Sequence, residues 1–316
     1  MKPKTLDADV YVSLNELNQL YAPAKHLYKK RPHTTASIAG QHLSIIRGRG
    51  ADFDDVRPYQ FGDDIRNLDW RVTARAGKPH TKVFKEERER PIVLMVDQSQ
   101  HMFFGSTHSM KSVIASKAAA LGAWYALNEG DRIGSFVYSD YQHHALRPKT
   151  GKSNLQHFLH TLIHFNHQLK AQYKTPKKPY SFNDALLDIQ RITPQGTLMF
   201  IIADLRHFNQ TSVKYLMRLK RRCDIIIIDI YDPLEYKLPS AGSYTISDGK
   251  HHLSMDTSTE VLRERYSKQT VQHQQFVKEQ LSKMRISYTA VSTTVSVDQL
   301  SHTLSAVMRH KSSIRC

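Results

Sequence analysis

The sequence predicts an open, doubly wound α/β domain with a mostly parallel sheet, preceded by an N-terminal helix and a small β-rich element. Three observations lead there. Short apolar runs at 92–96, 132–137, 198–203, 225–230 and 286–291 have the length and branched content of buried strands. Helical patterns separate them, and a helical crossover is what joins parallel neighbours. Ahead of the first run lies a densely charged block, 47–90, broken by Gly48, Gly50, Pro58, Gly62, Gly77 and Pro79, which reads as short strands and turns.

Taken in order, Val10, Leu14, Leu17, Leu20, Tyr21 and Ala24 recur at helical spacing, so one amphipathic helix is expected over 9–25, its stripe packed on the main body. A basic cluster at 29–31 and Pro32 follow it. The division expected is a helix and linker over 1–39, a β-rich charged element over 40–90 and an α/β domain over 91–316. In the charged element, Tyr59, Phe61, Ile65, Leu68 and Trp70 are expected to supply core residues. Helices are predicted at 111–127, closed by Gly130, and at 154–169, 183–192, 213–221, 260–284 and 298–309, with a weaker edge strand at 145–147. Capping boxes, Thr257 with Glu260 and Ser296 with Gln299, would open the last two helices. An insertion over 231–257, marked by Pro233, Pro239, Gly242 and Gly249, reads as a loop and hairpin near the strand ends.

The chain of 316 residues carries 45 Lys and Arg against 29 Asp and Glu, a net +16 that favours acidic partners: nucleic acid, an anionic lipid surface or an acidic protein. Two cysteines, Cys223 and Cys316, cannot build a disulfide framework or a cysteine metal site. No segment approaches the run of about 18 apolar residues that a membrane span needs, and a cytoplasmic, soluble protein is expected. There is no G-x-x-x-x-G-K-[ST] loop, so nucleotide hydrolysis would have to come from a partner.

Several clusters could carry chemistry. Asp63, Asp64 and Asp69 beside Arg66, Arg71 and Arg75 could be read as an acid/base or phosphate site, but no nucleophile or cofactor motif accompanies them, and with Arg57 and Trp70 they form one charged block. Ion pairs that lock a turn-rich element, or an interface, are the simpler account. His157, His160, His164 and His167 share one helix face, which is expected to be solvated, opposite Leu155, Leu159, Leu162, Phe165 and Leu169. Basic runs at 174–178 and 218–222 have only sparse aromatic neighbours, Tyr173 and Tyr180, and suit a solvated basic face better than a nucleic-acid groove.

Two stretches carry a resemblance. The first is G-R-G-x-x-F-x-x-V-R-x-Y-x-x-G-D-D-x-R-x-x-D-W-x-x-x-A-R from Gly48 to Arg75, followed by K-x-F-x-E-E-R-E-R and an apolar strand. The second is Asp232-Pro233-Leu234-Glu235-Tyr236-Lys237-Leu238-Pro239. Together they resemble the bacterial domain-of-unknown-function 58 family. The resemblance implies a von Willebrand factor A-like domain behind a β-rich element. It also implies partnership with a MoxR-type AAA+ ATPase, and with other von Willebrand A-domain proteins, in the role of a non-enzymatic adaptor or co-chaperone.

Such domains hold Mg²⁺ or another divalent ion through D-x-S-x-S after the first strand, with a threonine and an aspartate from later loops. Here the motif is Asp97-Gln98-Ser99-Gln100-His101, with histidine in the third ligand position, a poor Mg²⁺ ligand but an acceptable one for Mn²⁺. Asp204 is the later aspartate, and Thr150 or Ser153 the candidate for the middle position. Asp97, Ser99, His101 and Asp204 therefore form either a degenerate Mg²⁺ or Mn²⁺ site or a crevice whose side chains hydrogen-bond to loop backbone. Asp232, Pro233 and Glu235 would shape its rim. Two other classes remain open: a metal-dependent hydrolase with His101 as base, and a nucleic-acid binder driven by the positive charge.

Overall fold

The structure, a computed structural model, describes residues 9–28, 51–86, 89–169, 176–236, 238–239, 241–247 and 252–312. The cluster 29–32, Gly48, Gly50, Tyr173, Lys174, Gly249 and Cys316 lie outside the described residues. The chain divides into two compact units, one of Met1–Thr34 with Arg90–Cys316 and one of Thr35–Glu89.

The N-terminal stripe forms two helices, α1 (Leu14–Gln19) and α2 (Tyr21–Tyr28), instead of the single helix expected. Pro23 explains the break. It has no N–H to give residue 19 and its ring would press on that carbonyl, whereas in the first turn of a new helix no such bond is required. Ser13 opens α1 with a reciprocal box, its hydroxyl accepting from Glu16 N at 3.3 Å while Glu16 Oε2 accepts from Ser13 N at 2.9 Å.

The smaller unit is a hairpin of β1 (Ala51–Pro58) and β2 (His80–Glu86), paired antiparallel, with a helix α3 (Trp70–Ala76) between them. The helix is a correction to the expectation of strands and turns alone. Its signals are local: Asp69 accepts from the backbone N–H groups of Arg71 and Val72 at 3.0 and 3.1 Å, and Gly77 ends it at φ 68. Phe61, Ile65 and Trp70 are exposed, not core. They sit in a turn, a 3₁₀ turn and the first helical position, where no strand alternation sends a side chain inward.

The larger unit is built on six strands: β3 (Pro91–Asp97), β4 (Arg132–Tyr138), β5 (His143–Lys149), β6 (Thr197–Ala203), β7 (Cys223–Tyr231) and, after an antiparallel hairpin of β8 (Ser243–Ser247) and β9 (His252–Asp256), β10 (Ser287–Ser292). Their order is β10-β7-β6-β3-β4-β5, all pairings parallel except the edge strand β5. Every residue of β3 and β6 is buried, as a strand covered on both faces must be. Ile92, Leu94 and Val96 enter one core, Val93 and Met95 the other.

Between the strands run α4 (Lys111–Asn128), α5 (Lys152–Gln168), α6 (Phe182–Asp188), α7 (Gln210–Lys220) and the short α8 (Pro233–Tyr236), with α9 (Glu260–Lys283) and α10 (Val297–Ser312) beyond the hairpin. The Ala-rich α4 is buried almost all round and lies tight on the sheet: a Cβ at Gly122 would come within 3.1 Å of Leu94 Cδ2. Helices α1, α2, α5 and α10 join it in the first core, whereas α6, α7 and α9 cover the opposite face. Ser296 and Gln299 bond reciprocally ahead of α10, but the Thr257–Glu260 box is not made. Thr257 is buried and spends both its N–H and its hydroxyl on Gly242 O at 2.9 and 3.0 Å, closing the base of the hairpin, and Thr259 takes the N-cap position. Among the described residues no helix is long and apolar enough to cross a membrane.

Two buried polar groups tie separate segments. Asn166 Oδ1 accepts from Val12 N at 2.9 Å while its amide donates to Gln98 Oε1 at 3.2 Å, joining the N-terminal arm to the loop after β3. Asp229 accepts from Leu205 N at 3.0 Å and from Tyr288 Oη at 2.9 Å, linking the turn after β6 to β7 and the start of β10. Burial, and next the charge of Asp204, pushes the Asp229 carboxyl up to about 6.

Two measurements follow. Asn166→Ala should cost about 2–3 kcal/mol in urea unfolding, because Val12 N is left buried without an acceptor; a loss below about 0.5 kcal/mol would mean the arm is held by other contacts. For Asp229, the unfolded side chain ionises near its ordinary value while the folded one stays protonated to about 6. The unfolded state then binds fewer protons between those values, and stability falls as pH rises through that window. Asp229→Asn should remove this dependence, its stability relative to the unmodified protein climbing by roughly 3 kcal/mol from about pH 4 to 6. Parallel pH profiles for the two proteins would refute it.

Candidate functional site

The strand order reverses between β3 and β6: from β3 the chain proceeds outward through β4, and from β6 outward through β7. A crevice therefore opens beyond their carboxyl ends, the position at which doubly wound sheets bind ligands. Asp97 closes β3, and Asp204 directly follows β6, so the fold brings the two aspartates to this one place.

Asp97 is fully buried. Its Oδ1 accepts from Ser99 N at 2.9 Å and from the Ser99 hydroxyl, and its Oδ2 lies 3.2 Å from His101 Nε2. The Ser99 Oγ is in turn 2.9 Å from His101 Nδ1. Burial alone would raise the Asp97 carboxyl, but His101 and the Ser99 bonds outweigh it and hold it below the usual carboxylate value. The converse acts on His101: burial disfavours its cation, yet Asp97, then Asp204, raise it. Beside them Tyr138 is buried against Asp97, and burial followed by that charge lifts its phenol well above its ordinary value. His207 packs edge-on to His101, ring centroids 5.7 Å apart.

Asp204 faces a different set. Its Oδ2 accepts from Lys111 Nζ at 2.6 Å and from Arg206 Nε at 2.9 Å, while Oδ1 caps Arg206 N at 2.9 Å. Burial raises its carboxyl, and Lys111, then Arg206, bring it back below the ordinary value. Lys111 is 0% exposed, and its Nζ also donates to Glu235 Oε1 at 2.6 Å; Glu235 pairs with Arg206 as well. Glu235 is thus part of the crevice's wiring and not only its rim.

Asp232 also points inward. It accepts from Ser106 N at 2.8 Å, Ser106 Oγ at 2.6 Å, Thr293 Oγ1 at 2.6 Å and Leu234 N at 3.0 Å, so it ties the loop after β3 to the ends of β7 and β10. These bonds hold its carboxyl below the ordinary value in spite of burial. Pro233 begins α8, in which Glu235 is the third residue.

Thr150 and Ser153 are not at this site. Because β5 runs antiparallel, Lys149 pairs with Ile133 near the start of β4, so the chain leaves β5 at the opposite end of the sheet, about 20 Å away by strand rise. In their place the structure brings in Lys111, Arg206, Glu235 and His207. A lysine at the first position of a helix carries no local mark of burial, and for that reason the sequence conceals it. The arrangement offers a divalent ion no ready ligand set: Asp204 is turned to Lys111 and Arg206 and Asp97 Oδ1 to Ser99, whereas Asp97 Oδ2 is buried without a hydrogen bond, 3.2 Å from His101 Nε2. Among the described residues no group of three or more His, Cys, Asp or Glu side chains is placed to hold one. Ser99 is 2% exposed with its hydroxyl committed to Asp97, so no nucleophile faces solvent here.

In the small unit, Arg57 Nη2 pairs with Asp63 Oδ1 at 2.7 Å, as expected of the charged block. Asp63 also accepts from Gln60 N at 2.9 Å, and Asp64 caps Arg66 N at 3.0 Å. Its carboxylates therefore serve the turns first; Arg66, Arg71 and Arg75 are exposed. The four histidines on α5 are exposed opposite a buried Leu and Phe face.

Comparison with known proteins adds a family. The chain is 26% identical over 242 residues to uncharacterized proteins of Mycobacterium bovis and Mycobacterium tuberculosis, an alignment covering 75% of this chain and 73% of theirs. Among solved structures, a conserved hypothetical protein BatB from Bacteroides thetaiotaomicron aligns with TM-score 0.42 and 10% identity, over 71% of this chain and 99% of that one. A family model described as "Protein of unknown function DUF58" matches residues 55–276, which takes in both structural units. The chain belongs to the DUF58 family.

Proposed function

We propose that this protein is a non-enzymatic interaction module, a von Willebrand factor A-like domain that serves as adaptor or co-chaperone of a MoxR-type AAA+ ATPase and docks through the crevice between β3 and β6. The observation that carries this reading is the internal pairing of the crevice. Asp97, Asp204 and Glu235 are each engaged by Ser99, His101, Lys111 or Arg206 from the same chain. A site wired in this way presents a fixed polar surface, and its uncommitted atoms, Asp97 Oδ2 and the Tyr138 hydroxyl, are buried away from a substrate. Its position at the strand-order reversal, where ligand-binding crevices form in such sheets, supports the same reading. ATP-driven work belongs to the partner, since the sequence carries no phosphate-binding loop.

Arg206 and His207 stand at the mouth, Arg206 with 40% of its side chain exposed. The test is calorimetric titration of the full-length chain with a purified MoxR-type ATPase in the presence of ATP. Arg206→Glu should weaken binding about tenfold, or about 1.4 kcal/mol, and Trp70→Ala should change it by less than about twofold. The reverse ranking would move the interface to the small unit, and no binding by the unmodified chain would reject the adaptor reading.

A further inference from the structure

We propose that the ammonium of Lys111 is the resident cation of the strand-end crevice, in the position where a divalent ion would otherwise bridge its carboxylates. The inference stands whether or not the crevice docks an ATPase, because it concerns what holds the acidic groups together.

Lys111 is wholly buried, and its Nζ is 2.6 Å from Asp204 Oδ2 and 2.6 Å from Glu235 Oε1, which come from the turns after β6 and β7. Bringing oxygens from separate loops onto one positive centre is what a structural metal ion does, and here an amino acid does it. The charges nearly match. Lys111 and Arg206 answer Asp204 and Glu235, His101 faces Asp97, and Asp229 is a further buried carboxyl within reach of Asp204. A divalent ion added to that set would bring surplus positive charge into a buried place, and the cost of desolvation would not be recovered.

The backbone points the same way. Lys111 is the first residue of α4, and a helix N-terminus already carries partial positive charge, so a cation here is held only by strong anionic partners. The loop before it fixes the stem: Lys111 N donates to Phe104 O at 2.8 Å, and the Phe104 ring lies 5.8 Å from Nζ. Lys111 thus leaves neither Asp204 nor Glu235 without a cation, and the orphaned carboxylate oxygen of the crevice, Asp97 Oδ2, lies 3.2 Å from His101 Nε2.

The experiment has two arms. In the first, Mn²⁺ and then Mg²⁺ are titrated calorimetrically into the full-length chain; no saturable heat is expected, and the melting temperature should be the same with EDTA as with millimolar Mn²⁺. In the second, Lys111→Ala should melt about 10 °C lower. Half or more of that loss should return with n-butylammonium chloride, but not with sodium chloride at equal ionic strength, since only the amine can refill the space with a charged nitrogen. Saturable Mn²⁺ binding by the unmodified chain that Asp204→Asn abolishes would overturn the proposal, and so would an unchanged melting temperature in Lys111→Ala. If that variant does not fold, the titration of the unmodified chain decides the question by itself.

Discussion

The buried ammonium of Lys111 is the interaction on which the crevice depends. It joins the start of α4 to Asp204 after β6 and Glu235 in α8, three segments more than ninety residues apart at the extremes. Removing one partner from such a buried pair costs roughly 3–5 kcal/mol, because the other charge is left without compensation. That scale exceeds what an exposed salt bridge on the same surface would contribute, about 0–1 kcal/mol. The acidic Asp232–Glu235 segment takes its meaning from this arrangement. Asp232 gathers the loop after β3 and the end of β10, and Glu235 completes the shell around the lysine. Both side chains are structural ties directed inward.

How much of this was legible in the sequence depends on what kind of force positions each residue. The central strands were, because a strand covered on both faces must be apolar throughout, and the runs ending at Asp97 and before Asp204 satisfy that without ambiguity. The family resemblance placed the two aspartates together, and the apolar run that each follows singled out Asp204 as the later one. Thr150 could not, since one antiparallel edge pairing reverses the direction of travel and sends it to the far end of the sheet. Pro23 divided a helix that hydrophobic spacing had joined. Thr257 left a capping box for a tertiary bond to Gly242, a choice that local sequence does not reveal. Lys111 was the largest omission: nothing adjacent to it indicates burial, and its partners lie 93 and 124 positions away.

The net charge of +16 and the internal balance of the crevice describe different parts of the molecule. Inside, cations and carboxylates are matched nearly one for one. The surplus is carried elsewhere, on exposed side chains such as Arg218, Arg221 and Arg222. An acidic partner would accordingly be attracted by the general surface before it reaches the crevice, and shape at the crevice would then decide whether it stays. On the proposed reading, long-range attraction and local selection would be borne by different residues.

The packing of α2 has a consequence for the order in which the chain can fold. Pro23 O accepts from Ser301 Oγ at 3.5 Å, Trp124 Nε1 donates to Leu17 O at 2.9 Å, and the first and last helices share one apolar core with α4. Helices α1 and α2 find their seat only when α4 is complete, and one wall of that seat is α10. Contacts of such long range make closure slow, and until α10 docks the apolar stripe of α1 and α2 lacks part of its cover. Local melting of α10 would therefore uncover apolar surface on helices whose contact with it spans 278 positions of the chain.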